Sequence, residues 1–358
     1  MAFKPTELPS LHERTFMPHD LNHLDAALAA YPRVALLEGP TPIQKLSRLS
    51  DLPELNGCQL YVKRDDLTGL GGGGNKLRKL EFLLGEALAE GADTLVTWGG
   101  LQSNHARLTA AVAARHGLAC ELILTPSAVR TDDDFCHNGN VLLDALFGAK
   151  VHRLARGVLP DAYATQLVDT LKGQGKRPFV MPLGGSSPRG SLGYAACAGE
   201  ILRQAEALDM HFEQIIVPNG SAGTHSGLLA GVTLAGASTQ ILGYSVLATE
   251  EQAATTTLEK TRQVLQLLDR STTLADHSIR VDGSQRGDAY GAPTEAMLEA
   301  VRLLASQEGL LTDPVYGGKA FAGMLAAVRR GDYPAGSNLL FVMTGGMPGL
   351  FAYRRAFE

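Results

Sequence analysis

Several features are scarce or missing in this chain of 358 residues. Cysteine is rare: Cys58, Cys120, Cys136 and Cys197 lie far apart, with no CxxC pair. That spacing argues against a disulfide framework and reads as reduced thiols filling the core of a cytoplasmic protein. No metal site is expected. Charged residues make up 19% of the chain, and the net charge of −5 is spread along it. There is no basic block, so nucleic acid and anionic membranes are not expected partners. No apolar run approaches the length of a membrane span. The opening stretch "MAFKPTELPSLHERTFMPHD" lacks the apolar centre of a signal peptide. Internal repeats, low-complexity segments, the phosphate-loop spacing GxxxxGK[ST] and a convincing GxGxxG are absent too.

The content that is present is ordinary for a globular protein, 45% hydrophobic, with one exception. The 40 glycines are many and they cluster. Clustered glycine suggests places where backbone approaches a ligand closely.

Residues 1–32 read as a leader, with a short surface helix in "HDLNHLDAALAAYP". From "RVALLEGPTPIQKL" onward, short apolar runs alternate with helical patterns. "QLYVKRDD", "TLVTWGG", "ACELIL", "KVHRLA", "PFVMPLGG", "QIIVPNG", "ILGYSVL" and "NLLFVMTGG" read as strands. "SNHARLTAAVAARHG" and "NGNVLLDALFGA" read as helices between them. The alternation predicts an α/β fold with parallel sheets. It holds more sheet units than one doubly wound domain needs, so two interleaved domains are expected.

Three of these strands run into glycine-containing loops that open helices: "TWGGLQSNH", "VPNGSAGTHSG" and "VMTGGMPG". Strand ends that meet helix N-termini bind anions, because free N–H groups and the helix dipole face the ligand there. "NGSAGTHSG" is the best phosphate cradle, with the hydroxyls of Ser221 and Thr224 and no acidic side chain. "GGLQSNH" offers Gln102, Ser103, Asn104 and His105, which suit a carboxylate. His105 and Trp98 also read as structural, orienting or backing that loop.

A fourth stretch, "TGLGGGGNKLRKLEFLLGEAL", sets Lys76 behind four glycines at the start of an amphipathic helix. Lys79 follows one turn later. A helix start is an unfavourable place for a cation, and neighbouring cations add to the effect. Both favour the neutral amine, the form that attacks an aldehyde. With a phosphate cradle downstream, Lys76 reads as the Schiff-base lysine of pyridoxal 5′-phosphate.

The segments "GGNKLRKLEFL", "LQSNHARLTAA", "NGNVLLDALFGAK", "GGSSPRGSLGY", "GSAGTHSGL", "DAYGAPTEAM", "LLTDPVYGGKAFAGML" and "FVMTGGMPGLFAY" together resemble the D-cysteine desulfhydrase and aminocyclopropane-carboxylate deaminase family. The resemblance covers roughly residues 33–356. It implies a two-domain tryptophan-synthase-β-like fold (fold type II), with open twisted parallel sheets flanked by helices. Residues 77–188 would form a smaller domain inserted into a larger one made of 1–76 plus 189–358. It also implies a homodimer.

By that resemblance Lys76 carries the cofactor and Lys79 helps hold its phosphate, with Gly220, Ser221, Ala222, Gly223 and Thr224 as the phosphate loop. Asn104 meets the ring hydroxyl and Thr344 the pyridine nitrogen. Ser103 takes the substrate carboxylate, in company with Gln102, Asn104 and His105. Tyr290 and Tyr316 face the substrate. The reaction implied is α,β-elimination from a small amino acid, with D-cysteine giving pyruvate, sulfide and ammonia. Gly317 stands where the deaminases of this family carry glutamate and the desulfhydrases a hydroxyl residue, which speaks against the deaminase. The alternatives are a sulfo-lyase acting on cysteate, a cyclopropane-carboxylate deaminase, and a catalytically silent cofactor- or nucleotide-binding α/β protein.

Overall fold

Period-two alternation sends adjacent strand residues to opposite faces of a sheet, and here both faces are covered by helices. The structure, a computed structural model, describes residues 20–126 and 130–358. Its strands are β1 (Ile43–Lys45), β2 (Gln59–Lys63), β3 (Thr94–Gly100), β4 (Ala119–Thr125), β5 (Lys150–Arg153), β6 (Pro178–Met181), β7 (Gln214–Asn219), β8 (Gln240–Ser245), β9 (Arg280–Asp282) and β10 (Asn338–Val342). They form a six-stranded sheet in the order β1-β2-β10-β7-β8-β9 and a four-stranded sheet in the order β5-β4-β3-β6. All pairings are parallel except β1 with β2, so the fold is α/β as expected.

In the larger sheet Ile215, Val217, Leu340 and Val342 pack against the helices Pro188–Ala207 and Gly223–Leu234. Their neighbours Ile216, Leu339 and Phe341 point the other way, toward the helices Glu295–Glu308 and Gly317–Arg329. The smaller sheet repeats the device, with Leu95 and Leu122 on one side and Val96 and Ile123 on the other. Each such side chain contributes about 1.5–3 kcal/mol on burial. This is why the strands read as near-continuous apolar runs.

Two strands escaped the sequence reading. β1 and β9 are edge strands of three residues each, without an apolar run, and pairing with a neighbour defines them. The helix Leu21–Ala29 forms where it is expected. It buries Leu24 and Leu28 in the main core, so the chain from residue 20 belongs to the packed body. Residues 1–19 of the expected leader lie outside the described residues. Among the described residues no helix is long and apolar enough to cross a membrane.

The helix Lys76–Ala89 is held by a buried ionic network. Arg78 donates two hydrogen bonds to Asp65, at 2.9 and 2.8 Å, and two to Glu200, at 2.9 and 3.1 Å. Asp65 also accepts from Thr41 and from the Tyr194 hydroxyl. Lys63 Nζ donates to Glu200 and Gln204. Gly193 lets the neighbouring helix approach closely: a Cβ there would lie 2.0 Å from Arg78 O. Lys76 and Lys79 therefore project from a helix that cannot shift freely.

Candidate active site

The three loops singled out in the sequence come together at one cleft of about 600 Å³. It opens at the C-terminal ends of β3, from the smaller sheet, and of β7 and β10, from the larger. Strand C-termini carry the sites of open α/β sheets. Lys76, Lys79, Gln102, Ser103, Asn104, His105, Gly220 to Thr224, Tyr290, Tyr316 and Thr344 all line it.

Lys76 is half-buried at the start of its helix, and its Nζ donates to Asn75 Oδ1 at 3.0 Å. Its ammonium lies 5.9 Å from the Tyr316 ring centroid. Burial lowers its pKa to about 8, with Asp313 opposing and Arg107 adding to the fall. The four glycines before it explain themselves. Gly71, Gly72, Gly73 and Gly74 all have positive φ, from +62° to +126°, a path that other residues rarely follow.

Lys79 is buried, and its partners are neutral: Ser186 Oγ at 2.8 Å and Gly184 O at 3.2 Å. Burial, then the charges of Lys76 and Lys260, hold its pKa well below the usual lysine range. Across from it, Ala222 begins the helix Gly223–Leu234 at φ +64° and supplies no side-chain cap. Ser221 Oγ lies 2.7 Å from Ser186 Oγ, and Thr224 Oγ1 accepts from Asn75 Nδ2 at 3.0 Å. A Cβ on Gly223 would fall 2.5 Å from Ser186 Oγ and 2.8 Å from Lys79 Nζ. The result is an uncapped helix start, hydroxyls and a lysine without an acidic side chain, which fits a phosphate. Ser186, Gly184 and Asn75 were not picked out in the sequence. The signal for Gly184 and Ser186 was "GGSSPRGSLGY", which carries two more glycines before a helix with Pro188 at its first position, and that for Asn75 was its place between Gly74 and Lys76.

On the β3 side, Ser103 caps the helix Asn104–Arg115 by accepting from Ala106 N at 3.1 Å. Its own hydroxyl hydrogen meets no acceptor among the described residues. Gln102 lines the cleft, yet its amide is engaged with protein, donating to Phe135 O and Asn138 O and accepting from Asn140 N. Asn104 Oδ1 accepts from Asn140 Nδ2 at 2.9 Å. His105 is buried with no hydrogen-bond partner among the described residues. Burial and the two lysines keep its ring neutral.

Tyr290 and Tyr316 meet hydroxyl to hydroxyl. Burial of the phenol ends raises both pKa values, and for Tyr316 its partner adds to the effect. Asp313, which the sequence did not single out, fixes Tyr316 by accepting from the N–H groups of Val315, Tyr316 and Gly317. A Cβ on Gly317 would lie 2.0 Å from Thr312 Oγ1, so a side chain there requires the Thr312 hydroxyl to move. Thr344 is buried, and its carbonyl accepts from Asn75 N at 3.0 Å, joining the β10 loop to the lysine loop.

Comparison with known proteins agrees with this chemistry. The family profile of pyridoxal-phosphate dependent enzymes matches residues 34–345. The D-cysteine desulfhydrase of Serratia proteamaculans (strain 568) is 42% identical over 332 residues, which is 92% of this chain and 98% of that one. The D-cysteine desulfhydrase of Salmonella paratyphi A is 42% identical over 326 residues, 91% of this chain and 97% of that one. Among solved structures, an ACC deaminase homologue superposes with a TM-score of 0.84 at 36% identity, covering 94% of this chain and 98% of that one. O-ureido-L-serine synthase shares the fold, with a TM-score of 0.63 at 18% identity over 92% of this chain and 94% of that one. The phosphate cradle and the half-buried lysine thus belong to a chain that is a pyridoxal-phosphate-dependent enzyme of the D-cysteine desulfhydrase and ACC deaminase family.

Proposed function

We propose that this enzyme eliminates the β-sulfur of D-cysteine, giving pyruvate, sulfide and ammonia. The observation that carries the reading is that Lys76, lowered to about 8, faces the same cleft as a cradle built for phosphate. Lys76 would carry the cofactor. Lys79, Gly220, Ser221, Ala222, Gly223 and Thr224 would hold its phosphate, with Asn104 at the ring hydroxyl and Thr344 at the pyridine nitrogen.

When bound, pyridoxal phosphate supplies the sink for the electron pair left on the α-carbon. The remaining work falls to the chain. Ser103 donates its free hydroxyl hydrogen to the substrate carboxylate, at the start of the helix whose dipole favours an anion there. Asn104 and the neutral His105 flank that carboxylate, and Gln102 braces the turn against residues 135–140. The Lys76 amine, neutral for a useful fraction of the time near pH 8, takes the α-proton. Tyr316, kept protonated by burial and by Tyr290, gives a proton to the departing sulfur as the C–S bond breaks.

The desulfhydrase relatives support D-cysteine as substrate, and Gly317 speaks against ring opening, because no carboxylate stands beside Tyr316 at that position. The same reading divides the chain into 1–76 plus 189–358 and an inserted 77–188, and makes it a homodimer, which sedimentation tests. The substrate is tested by incubating the purified holoenzyme with D-cysteine, L-cysteine, cysteate and aminocyclopropane carboxylate. Sulfide and pyruvate from D-cysteine are expected. Formation of 2-oxobutyrate instead would assign the deaminase.

A further inference from the structure

Arg107 lies four residues beyond Ser103 on the helix that Ser103 caps, and it is completely buried. Its guanidinium donates to Gly71 O and, at 3.0 Å, to Gly73 O. Among the described residues it makes no ion pair, and its Nε has no partner. Asp144, the acidic group whose field reaches it, is also fully buried, with both carboxyl oxygens unpartnered among the described residues. Burial pushes its pKa up to about 8, so near neutral pH it is mostly uncharged. A buried guanidinium that meets two carbonyls and no ionised carboxylate carries a desolvation cost, which its grip on the loop offsets only in part.

The loop it grips needs holding. Four successive glycines at positive φ have the most backbone freedom to lose, and they lead directly into Lys76. Thr68 Oγ1 accepts from Gly74 N at 2.8 Å on the other side of the loop, and Thr344 O accepts from Asn75 N. From the Ser103 helix, Leu108 and Ala111 lie against the loop, and Arg107 supplies the hydrogen bonds to its carbonyls.

We propose that Arg107 is the positioning residue for Lys76, locking the glycine loop in its left-handed path and tying it to the helix that begins at the carboxylate-binding turn. The inference rests on the reading of Lys76 as the cofactor lysine. It makes the placement of the lysine and the capture of the substrate carboxylate parts of one rigid unit. The same cation, after burial, also helps to lower the Lys76 ammonium.

The test compares the wild-type holoenzyme with Arg107→Met and Arg107→Lys by amide hydrogen exchange and by kinetics. In Arg107→Met, exchange over residues 71–76 should rise by about tenfold or more, while residues 338–342 of β10 stay protected. Sulfide release from D-cysteine should lose about 10–100-fold in kcat with little change in KM, because the lysine is misplaced rather than the carboxylate site. Arg107→Lys keeps the charge and loses the two-point grip, so it should fall between the two. Unchanged loop exchange in Arg107→Met, or a rise in KM alone, overturns the proposal. If Arg107→Met does not fold, Arg107→Lys decides: wild-type exchange over residues 71–76 in that variant overturns the proposal, and faster exchange confined to that loop supports it. Peptide mapping of the borohydride-reduced wild type keeps the two readings apart. A label on a lysine other than Lys76 sinks the functional reading, whatever the loop does.

Discussion

Tyr290 and Tyr316, 26 residues apart in the chain, share a hydrogen bond between their hydroxyls at the cleft. Their rings lie edge to face, with centroids 6.1 Å apart. One phenol therefore sets the proton position of the other. If Tyr316 is the donor to the leaving sulfur, Tyr316→Phe lowers kcat by about 100-fold or more. Tyr290→Phe costs less, about tenfold, and the double variant is no worse than Tyr316→Phe alone. Steady-state kinetics on the three variants decide the matter, and multiplicative losses would show two independent roles.

The lowered pKa of Lys76 fixes the sign of one pH effect. Protonation blocks attack on an aldehyde, so covalent uptake of pyridoxal phosphate by cofactor-free protein should climb with pH. The midpoint should lie near pH 8, because burial destabilises the ammonium. Uptake should level off by about pH 9, whereas an ordinary lysine would continue to gain up to about 10.4. Stopped-flow absorbance across this range reads the midpoint. A curve still rising steeply at pH 9.5 would mean that Lys76 is not desolvated as described.

The two anion sites should separate by mutation. Gly223→Ala puts a methyl into the space beside Ser186 Oγ and Lys79 Nζ and should weaken cofactor retention. Ser103→Ala should leave the cofactor bound and raise KM by about 5–150-fold, the loss of about 1–3 kcal/mol for a hydrogen bond to a carboxylate. Equilibrium dialysis for pyridoxal phosphate and initial rates cover both. Loss of cofactor from Ser103→Ala would mean that the two cradles have been assigned the wrong way round.

The network under the lysine helix should be costly to break. Asp65→Asn keeps the shape and removes the charge that faces Arg78, Lys63 and Tyr194. A buried cation losing its partner destabilises by about 3–5 kcal/mol. Urea unfolding followed by circular dichroism measures this. An unchanged midpoint would show that Glu200 alone suffices for Arg78.

The sequence by itself determined the local parts. Short strand patterns marked β2 to β8 and β10, and the central strands β3, β4, β7 and β10 are the most apolar because both of their faces are buried. Glycine clusters marked the turns, and the step from Gly74 to Lys76 marked the site, because few residues other than glycine follow that path into a helix. Tertiary structure decided what meets across long separations. Ser186 reaches Lys79 from 107 residues away, and Arg107 reaches Gly71 from 36. β1 and β9 exist only as partners at sheet edges. Periodicity records which face of an element is buried. It does not record the strand order that brings β3, β7 and β10 to one cleft, and that order sets every contact between the glycine loop, the phosphate cradle and the tyrosine pair.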